Sequence, residues 1–221
     1  MKYKLVIFDL DGTLVDTIAD LGAATNAALA TKGLPQHEPE AFRGMVGHGV
    51  RNLVKQAMPE PMREDEQAVD ALLEIFLAYY IDHLDDRSRP YPGMAELLAD
   101  LQAAGVKLGV ASNKFQAGAE KLIGRMFPEI RFAAVLGGRL GEPLKPDPAI
   151  VDEIRERAGV SREETVMVGD SGTDIATAEA AGVDCIAVSW GFRSREALSA
   201  APRIVDAAAQ LRALLLPNKE D

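Results

Sequence analysis

Short apolar runs recur along the chain at Leu5–Phe8, Val106–Ala111, Phe132–Leu136, Thr165–Val168 and Val183–Val188. They are too short for helices and do not alternate apolar with polar, which fits strands buried on both faces. Helical stretches lie between them: Met94–Ala104, Ala117–Phe127, Ala149–Ala158 and Thr173–Ala181. Gly105, Gly159 and Gly182 stand just past three of these, where a helix stop favours a residue tolerant of positive φ. Ser161-Arg162-Glu163-Glu164 has capping-box spacing and predicts one further helical turn. Strands alternating with helices imply an α/β fold, with right-handed crossovers joining a parallel sheet.

One segment breaks this rhythm. From Asp16 to about Arg87 there is no strand signal, only helical ones at Thr17–Lys32, Glu38–Met45, Val50–Met58 and Glu64–Asp85. The last carries Val69, Leu72, Leu73, Phe76, Leu77 and Tyr80, an i, i+3/i+4 stripe suited to helix packing. The economical expectation is an inserted all-helical domain over residues 16–87, with residues 1–15 plus 88–221 forming the core. Its linkers fall near Leu14–Thr17 and Arg87–Gly93. The second, Arg89-Pro90-Tyr91-Pro92-Gly93, has a stiff, helix-breaking composition. The tail Pro217–Asp221 is expected to fray.

Charge narrows the function classes. Lys plus Arg total 24 against 34 for Asp plus Glu, a formal charge of −10. Nucleic acid and anionic membrane both need a basic surface, so neither is an expected partner. No apolar stretch approaches the ~18 residues of a membrane span. The apolar run at the N-terminus stops at Asp9, too soon for a secretory signal. With Cys185 as the single cysteine no internal disulfide exists, and its apolar setting suits a buried small hydrophobe. A cytoplasmic location is the expectation.

Chemistry-bearing residues gather where strands end. Asp9-Leu10-Asp11-Gly12-Thr13 follows the first strand, at the edge where open α/β sheets bind ligands. Ser112-Asn113-Lys114 closes the run Val106–Ala111, offering a hydroxyl and a backbone N–H suited to phosphate oxygens. Lys145-Pro146-Asp147-Pro148 sets a lysine in a stiffened loop. Gly169-Asp170-Ser171-Gly172-Thr173-Asp174 follows Thr165–Val168, and a helix starting at Thr173 puts Asp170 and Asp174 on one side of its first turn. Asp174 alone also reads as a helix N-terminal acid favoured by the dipole. Clustered carboxylates repel unless a cation sits among them, and oxygen donors select a hard ion such as Mg²⁺.

In this order the four motifs resemble those of the haloacid dehalogenase superfamily of aspartate-nucleophile phosphotransferases. The resemblance covers nearly the whole chain, including a helical insertion where that superfamily carries its cap, and it implies a Rossmann-like core. It assigns Asp9 as nucleophile and Asp11 as acid and base. By the same resemblance Lys145 is expected to neutralise the nucleophile and a phosphate oxygen, Asp174 to orient Lys145, and Ser112 and the Asn113 backbone to hold the phosphate. Mg²⁺ is expected on the Asp9 carboxylate, the Asp11 carbonyl and Asp170. Asp11 favours phosphate esters, because the dehalogenase and phosphonate-cleaving branches lack a carboxylate there.

Val46-Gly47-His48-Gly49, Ser112-Asn113-Lys114 and Ser189-Trp190-Gly191-Phe192 are similar to segments of the phosphoglycolate phosphatases. The expected substrate is thus a small phosphate monoester, 2-phosphoglycolate first. A pyrophosphatase, a sugar-phosphate phosphatase and a sugar-phosphate mutase stand as alternatives. A phosphate-binding regulator without turnover would lack Asp9, Asp170 or Lys145, and all three are present. In the cap, His48 is a candidate over the leaving group, and Arg51, with Arg43 in reserve, is a candidate for a substrate carboxylate. Trp190 and Phe192 are expected to pack or to border the site. Oligomeric state has no sequence signal.

Overall fold

Leu5–Phe8 forms β1, and all four of its side chains are buried in a computed structural model that describes residues 2–216. Val6 and Phe8 enter one apolar cluster while Leu5 and Ile7 enter another, so the strand is covered on both faces. Next come β2 (Val15–Asp16), α1 (Ile18–Thr31), α2 (Phe42–Met45), α3 (Val50–Ala57), α4 (Glu66–His83) and β3 (Arg89–Pro90). The alternating part continues with α5 (Met94–Ala103), β4 (Lys107–Phe115), α6 (Gln116–Met126), β5 (Phe132–Gly138) and α7 (Ala149–Ala158). It closes with β6 (Thr165–Gly169), α8 (Gly172–Ala181), β7 (Asp184–Val188), β8 (Ile204–Val205) and α9 (Ala208–Leu215). The tail at Pro217–Asp221, expected to fray, lies outside the described residues.

The main sheet runs β5-β4-β1-β6-β7-β8, and every neighbouring pair is parallel. β1 lies inside it, with Phe8 opposite Val110 on one side and Val168 on the other. That register brings the residues following all three strands to one edge. One face is covered by α7 and α8 through Ile150, Val151, Ile154 and Ala178. The other is covered by α5, α6 and α9 through Leu98, Leu101, Leu122 and Leu211. Cys185 is buried in the first cluster, and burial pushes its thiol up to about 12.

The helical segment α1–α4 shares the second cluster. Leu21, Phe42, Leu53, Phe76 and Tyr80 join Val6 and Phe8 in one apolar body that runs from the sheet into the insert. On α4 the stripe narrows to Val69, Leu72, Phe76 and Tyr80, with Leu73 and Leu77 half-buried. The two linkers pair with each other. β2 and β3 are antiparallel, Val15 opposite Pro90 and Asp16 opposite Arg89. Beneath them the buried Asp20 carboxylate accepts from Arg87 N–H at 2.9 Å, Ser88 N–H at 2.7 Å and Ser88 Oγ at 2.7 Å. Among the described residues no helix is long and apolar enough to cross a membrane.

Two local expectations are corrected. Ser161–Glu164 forms a turn and no helix, because Thr165 bonds back to it and enters β6 at once: its N–H reaches Arg162 O at 3.1 Å and its Oγ1 reaches Ser161 O at 2.7 Å. The second strand does not end at Ala111. β4 continues through Ser112-Asn113-Lys114 to Phe115, with an irregular register against β5.

Candidate active site

Asp9 follows the last residue of β1. Its N–H donates to Val168 O at 2.8 Å, and Leu10 N–H donates to Asp9 Oδ1 at 2.7 Å, which aims the carboxylate off the sheet edge. Asp170 follows the end of β6 and is wedged between two glycines. A Cβ on Gly12, whose φ is +90°, would lie 2.4 Å from Asp170 Oδ2, and one on Gly191 would lie 2.3 Å from Asp170 Cβ. Thr13 Oγ1 donates to Asp170 Oδ1 at 3.3 Å and Phe192 N–H to its Oδ2 at 2.7 Å.

Lys145 bridges two elements. Its Nζ lies 2.9 Å from Asp9 Oδ1 and 2.7 Å from Asp174 Oδ1, in a site only 4% exposed. Asp174 is the third residue of α8 and forms a capping box with Ser171, whose N–H and Oγ both donate to Asp174 Oδ2, at 3.1 and 2.6 Å. The two readings of Asp174 therefore coexist: one oxygen caps the helix and the other holds the lysine. Asn113 brackets the lysine backbone, accepting from Lys145 N–H at 2.8 Å and donating to Lys145 O at 3.0 Å. Its Nδ2 also donates to Gly47 O in the insert at 3.0 Å. This side-chain role is not legible in the triplet, from which only a backbone contact is expected.

Asp9, Asn113 and Lys145 open onto a cleft. Asp9, Asp11, Ser112, Lys114, Lys145 and Ser171 line one side; Leu21, Val46, Val50 and Leu53 of the insert line the other, with Gly47 and Gly49 between. Burial, reinforced by Asp174 and Asp170, holds the Asp9 carboxyl well above the usual carboxylate range against the pull of Lys145. Burial and then the Asp174 charge push Asp170 up to about 7. Burial alone would lower Lys145, but the charges of Asp174 and Asp9 outweigh it and raise the ammonium, which stays charged.

A divalent cation fits this set. Oxygens of Asp9, Asp170 and Asp174 lie within 4.8 Å of one another, all buried. Asp174 has its countercharge in Lys145. Asp170 is contacted by a hydroxyl and a backbone N–H, both neutral, and among the described residues no ion pair reaches it. A buried carboxylate with no direct ion-pair contact, beside a second carboxylate, is a hard-oxygen donor set of the kind Mg²⁺ takes.

Asp11 has partners that sequence reasoning missed. Its Oδ1 accepts from Thr17 Oγ1 at 2.7 Å and from Lys114 Nζ at 3.0 Å. Lys114 is buried, and its Nζ also lies 2.6 Å from Tyr80 Oη on α4. Burial would lower Lys114, yet Asp11 and Tyr80 raise it; burial takes the Tyr80 hydroxyl up to about 12. Tyr80 reads in sequence only as part of a packing stripe, and nothing in the spacing couples it to a residue so far along the chain.

The candidates in the helical segment fare unevenly. Arg51 is not brought to the cleft. One residue turns an α-helix by about 100°, so while Val50 and Leu53 face the cleft, Arg51 faces α4, where it binds Glu66 and reaches Asp70 at 2.9 Å. His48 is exposed and does not line the cleft, although Gly47 and Gly49 on either side do. Arg43 sits at the seam, 5.9 Å over the Phe192 ring and 3.4 Å from Gly191 O. Arg193, not singled out in the sequence, donates from the core to the carbonyls of Arg43 and Val46. Trp190 Nε1 donates to Thr13 O at 3.1 Å and Phe192 N–H to Asp170, so both residues border the sheet edge that carries the candidate site.

Comparison with known proteins agrees with this geometry. Residues 6–188 match the family model described as haloacid dehalogenase-like hydrolase. A phosphoglycolate phosphatase of Mesorhizobium japonicum is 38% identical over 206 residues, covering 93% of this chain and 91% of that one. A phosphoglycolate phosphatase of Rhodospirillum rubrum is 39% identical over 198 residues, covering 87% and 82%. A solved structure from Lactobacillus delbrueckii subsp. bulgaricus superposes with a TM-score of 0.90 at 36% identity, covering 99% of this chain and 100% of its own.

Proposed function

Because the chain belongs to the haloacid dehalogenase-like hydrolases and is similar to phosphatases along most of its length, we propose that it is a Mg²⁺-dependent phosphoric monoester hydrolase working through an aspartyl-phosphate on Asp9. The observation that carries this reading is the Asp9–Lys145–Asp174 line, whose Asp9 and Lys145 line the cleft with Asp174 behind them, and Asp11 on the same loop as Asp9. Phosphoryl transfer needs positioning and neutralised charge more than covalent assistance, and this line supplies both.

An Asp9 oxygen attacks phosphorus while the ester P–O bond breaks, and the departing oxygen takes a proton from the Asp11 carboxyl. Asp11, now a carboxylate, takes a proton from water; that water attacks phosphorus, the Asp9–phosphorus bond breaks, and phosphate leaves. Lys145 holds Asp9 against the charge that gathers during attack, and Asp174 holds Lys145. Ser112 and the Asn113 backbone face the phosphoryl oxygens. The Asp9 carboxylate, the Asp11 carbonyl and Asp170 would hold Mg²⁺, which offsets phosphate charge when bound.

The segment 16–87 acts as a cap, on this reading. Arg193 and Asn113 seat its Arg43–Gly47 stretch on the core, and its apolar wall excludes water during transfer. The substrate is a small phosphate monoester. The relatives named above support 2-phosphoglycolate, hydrolysed to glycolate and phosphate. Phosphate release with Mg²⁺ from 2-phosphoglycolate, sugar phosphates and pyrophosphate tests this. The highest kcat/KM on 2-phosphoglycolate supports the substrate, a preference for another ester or for pyrophosphate moves it, and release from none overturns the reading. Quenched turnover followed by mass spectrometry should find a phosphoryl group on Asp9.

A further inference from the structure

We propose that Tyr80 is a positioning residue, carried by the helical insert, that holds Lys114 against Asp11 and so sets where the acid stands when the leaving group departs. The inference rests on the acid role of Asp11 given above.

The contact chain is continuous. Tyr80 Oη meets Lys114 Nζ at 2.6 Å, and Lys114 Nζ meets Asp11 Oδ1 at 3.0 Å and Oδ2 at 3.4 Å. The Tyr80 and Lys114 side chains are buried, whereas Asp11 keeps one face on the cleft. A lysine has a flexible stem and three donors, so a single contact to a carboxylate leaves it several rotamers. The second contact removes that freedom. Tyr80 is itself fixed, stacked on Phe76 with ring centroids 5.2 Å apart and edge-on to Phe115 at 6.2 Å.

Geometry also separates Lys114 from the other lysine in the cleft. Lys145 is bound to Asp9 and Asp174, at the end where phosphorus is attacked. Lys114 is bound to Asp11, the residue that serves the departing oxygen. The first is held wholly by core residues; the second is held partly by α4. An insert that shifts away from the core takes Tyr80 with it and frees Lys114, so the acid is fully placed only with the insert seated.

Tyr80→Phe removes the hydroxyl and keeps the ring. The readout is kcat/KM on phenyl phosphate and on 4-nitrophenyl phosphate, because kcat/KM covers only steps up to release of the leaving group. Phenolate needs the proton from Asp11 far more than nitrophenolate does, and both rings make similar demands on the cleft. The expected result is a loss of about tenfold on phenyl phosphate, with less than about threefold on 4-nitrophenyl phosphate. Equal losses on the two, or no loss on either, overturn the proposal.

Asp11→Asn on the same pair separates this failure from a failure of the acid role. If Asp11→Asn is selective for phenyl phosphate and Tyr80→Phe is not, Tyr80 has no positioning role and Asp11 keeps its own. If Asp11→Asn shows no selectivity, the acid role falls, and the role of Tyr80 falls with it.

Discussion

Lys145 Nζ lies 2.7 Å from Asp174 Oδ1, and both side chains are sealed from solvent. Asp174 acts on the site through this lysine and Ser171, and its charge also raises the neighbouring Asp9 and Asp170 carboxyls. Asp174→Asn keeps the shape and removes the charge. A charged hydrogen bond is worth about 1.5–3 kcal/mol, so kcat should fall by about tenfold to a hundredfold. Steady-state kinetics on any accepted ester checks this; an unchanged kcat would show that Lys145 holds its place without Asp174.

Asp9→Asn should abolish turnover and leave the fold intact. The amide cannot attack phosphorus, and it replaces a buried carboxyl whose charged form burial already disfavours. The thermal midpoint of the metal-free variant should match or exceed that of the parent. Substantial activity in a pure preparation would rule out the aspartyl-phosphate route.

Without a divalent cation, stability should fall as pH rises from about 4 to 7. Asp170 sits at about 7 in the folded protein against about 3.9 for a free Asp, so across this interval the folded state binds more protons than the unfolded state. More protons on the folded side means stability is highest at the acid end of the interval and declines towards neutral pH. Asp9, also raised by burial, adds in the same direction. Melting curves in chelator at pH 5 and 7 measure the trend. Asp170→Asn should flatten it, and Mg²⁺ should restore stability at pH 7.

Gly191→Ala should weaken the response to Mg²⁺. The added Cβ would fall 2.3 Å from Asp170 Oδ2 and 2.4 Å from Gly12 O, so Asp170 must move. The Mg²⁺ concentration for half-maximal rate should rise by about tenfold or more, the scale expected for a disturbed ligand support. A magnesium titration of activity decides it.

Two arginines should behave oppositely. Arg51→Ala should change kcat/KM on 2-phosphoglycolate by less than about twofold, because its guanidinium is spent on exposed acids of α4, and such pairs contribute little. Arg193→Ala leaves the Arg43 and Val46 carbonyls without these donors and should cost about tenfold in kcat/KM. Hydrogen exchange over residues 43–53 should speed up in Arg193→Ala and stay unchanged in Arg51→Ala.

What the sequence displays well is whatever follows from local periodicity and from motifs at strand ends. β1 and α7 match the expected spans residue for residue, and α8 differs by one residue at its start. Asp9, Asp11, Ser112, Lys145, Asp170 and Asp174 do meet at one sheet edge, because a parallel sheet delivers the ends of its strands there. Long-range pairing is what stayed hidden. β2 and β3 have two residues each, too few for any period, and α9 and β8 follow a stretch without a strong pattern. Arg51 shows the same limit in reverse: its position after Gly47-His48-Gly49 points to the cleft, yet helix rotation and the acids on α4 take it elsewhere. Partner choice for a flexible cation depends on which neighbours the fold brings, and no spacing rule encodes that.

The pairing of β2 with β3 has a consequence for how such a chain can diversify. The polypeptide leaves the sheet layer and returns to it on adjacent strands, about 4.8 Å apart. An excursion that begins and ends at neighbouring points imposes no span on what lies between. Helices there can lengthen, shorten or be exchanged while the loop carrying Asp9 and Asp11 keeps its place. On the function proposed above, substrate range can therefore drift across generations at one address, with the transfer chemistry held constant at another.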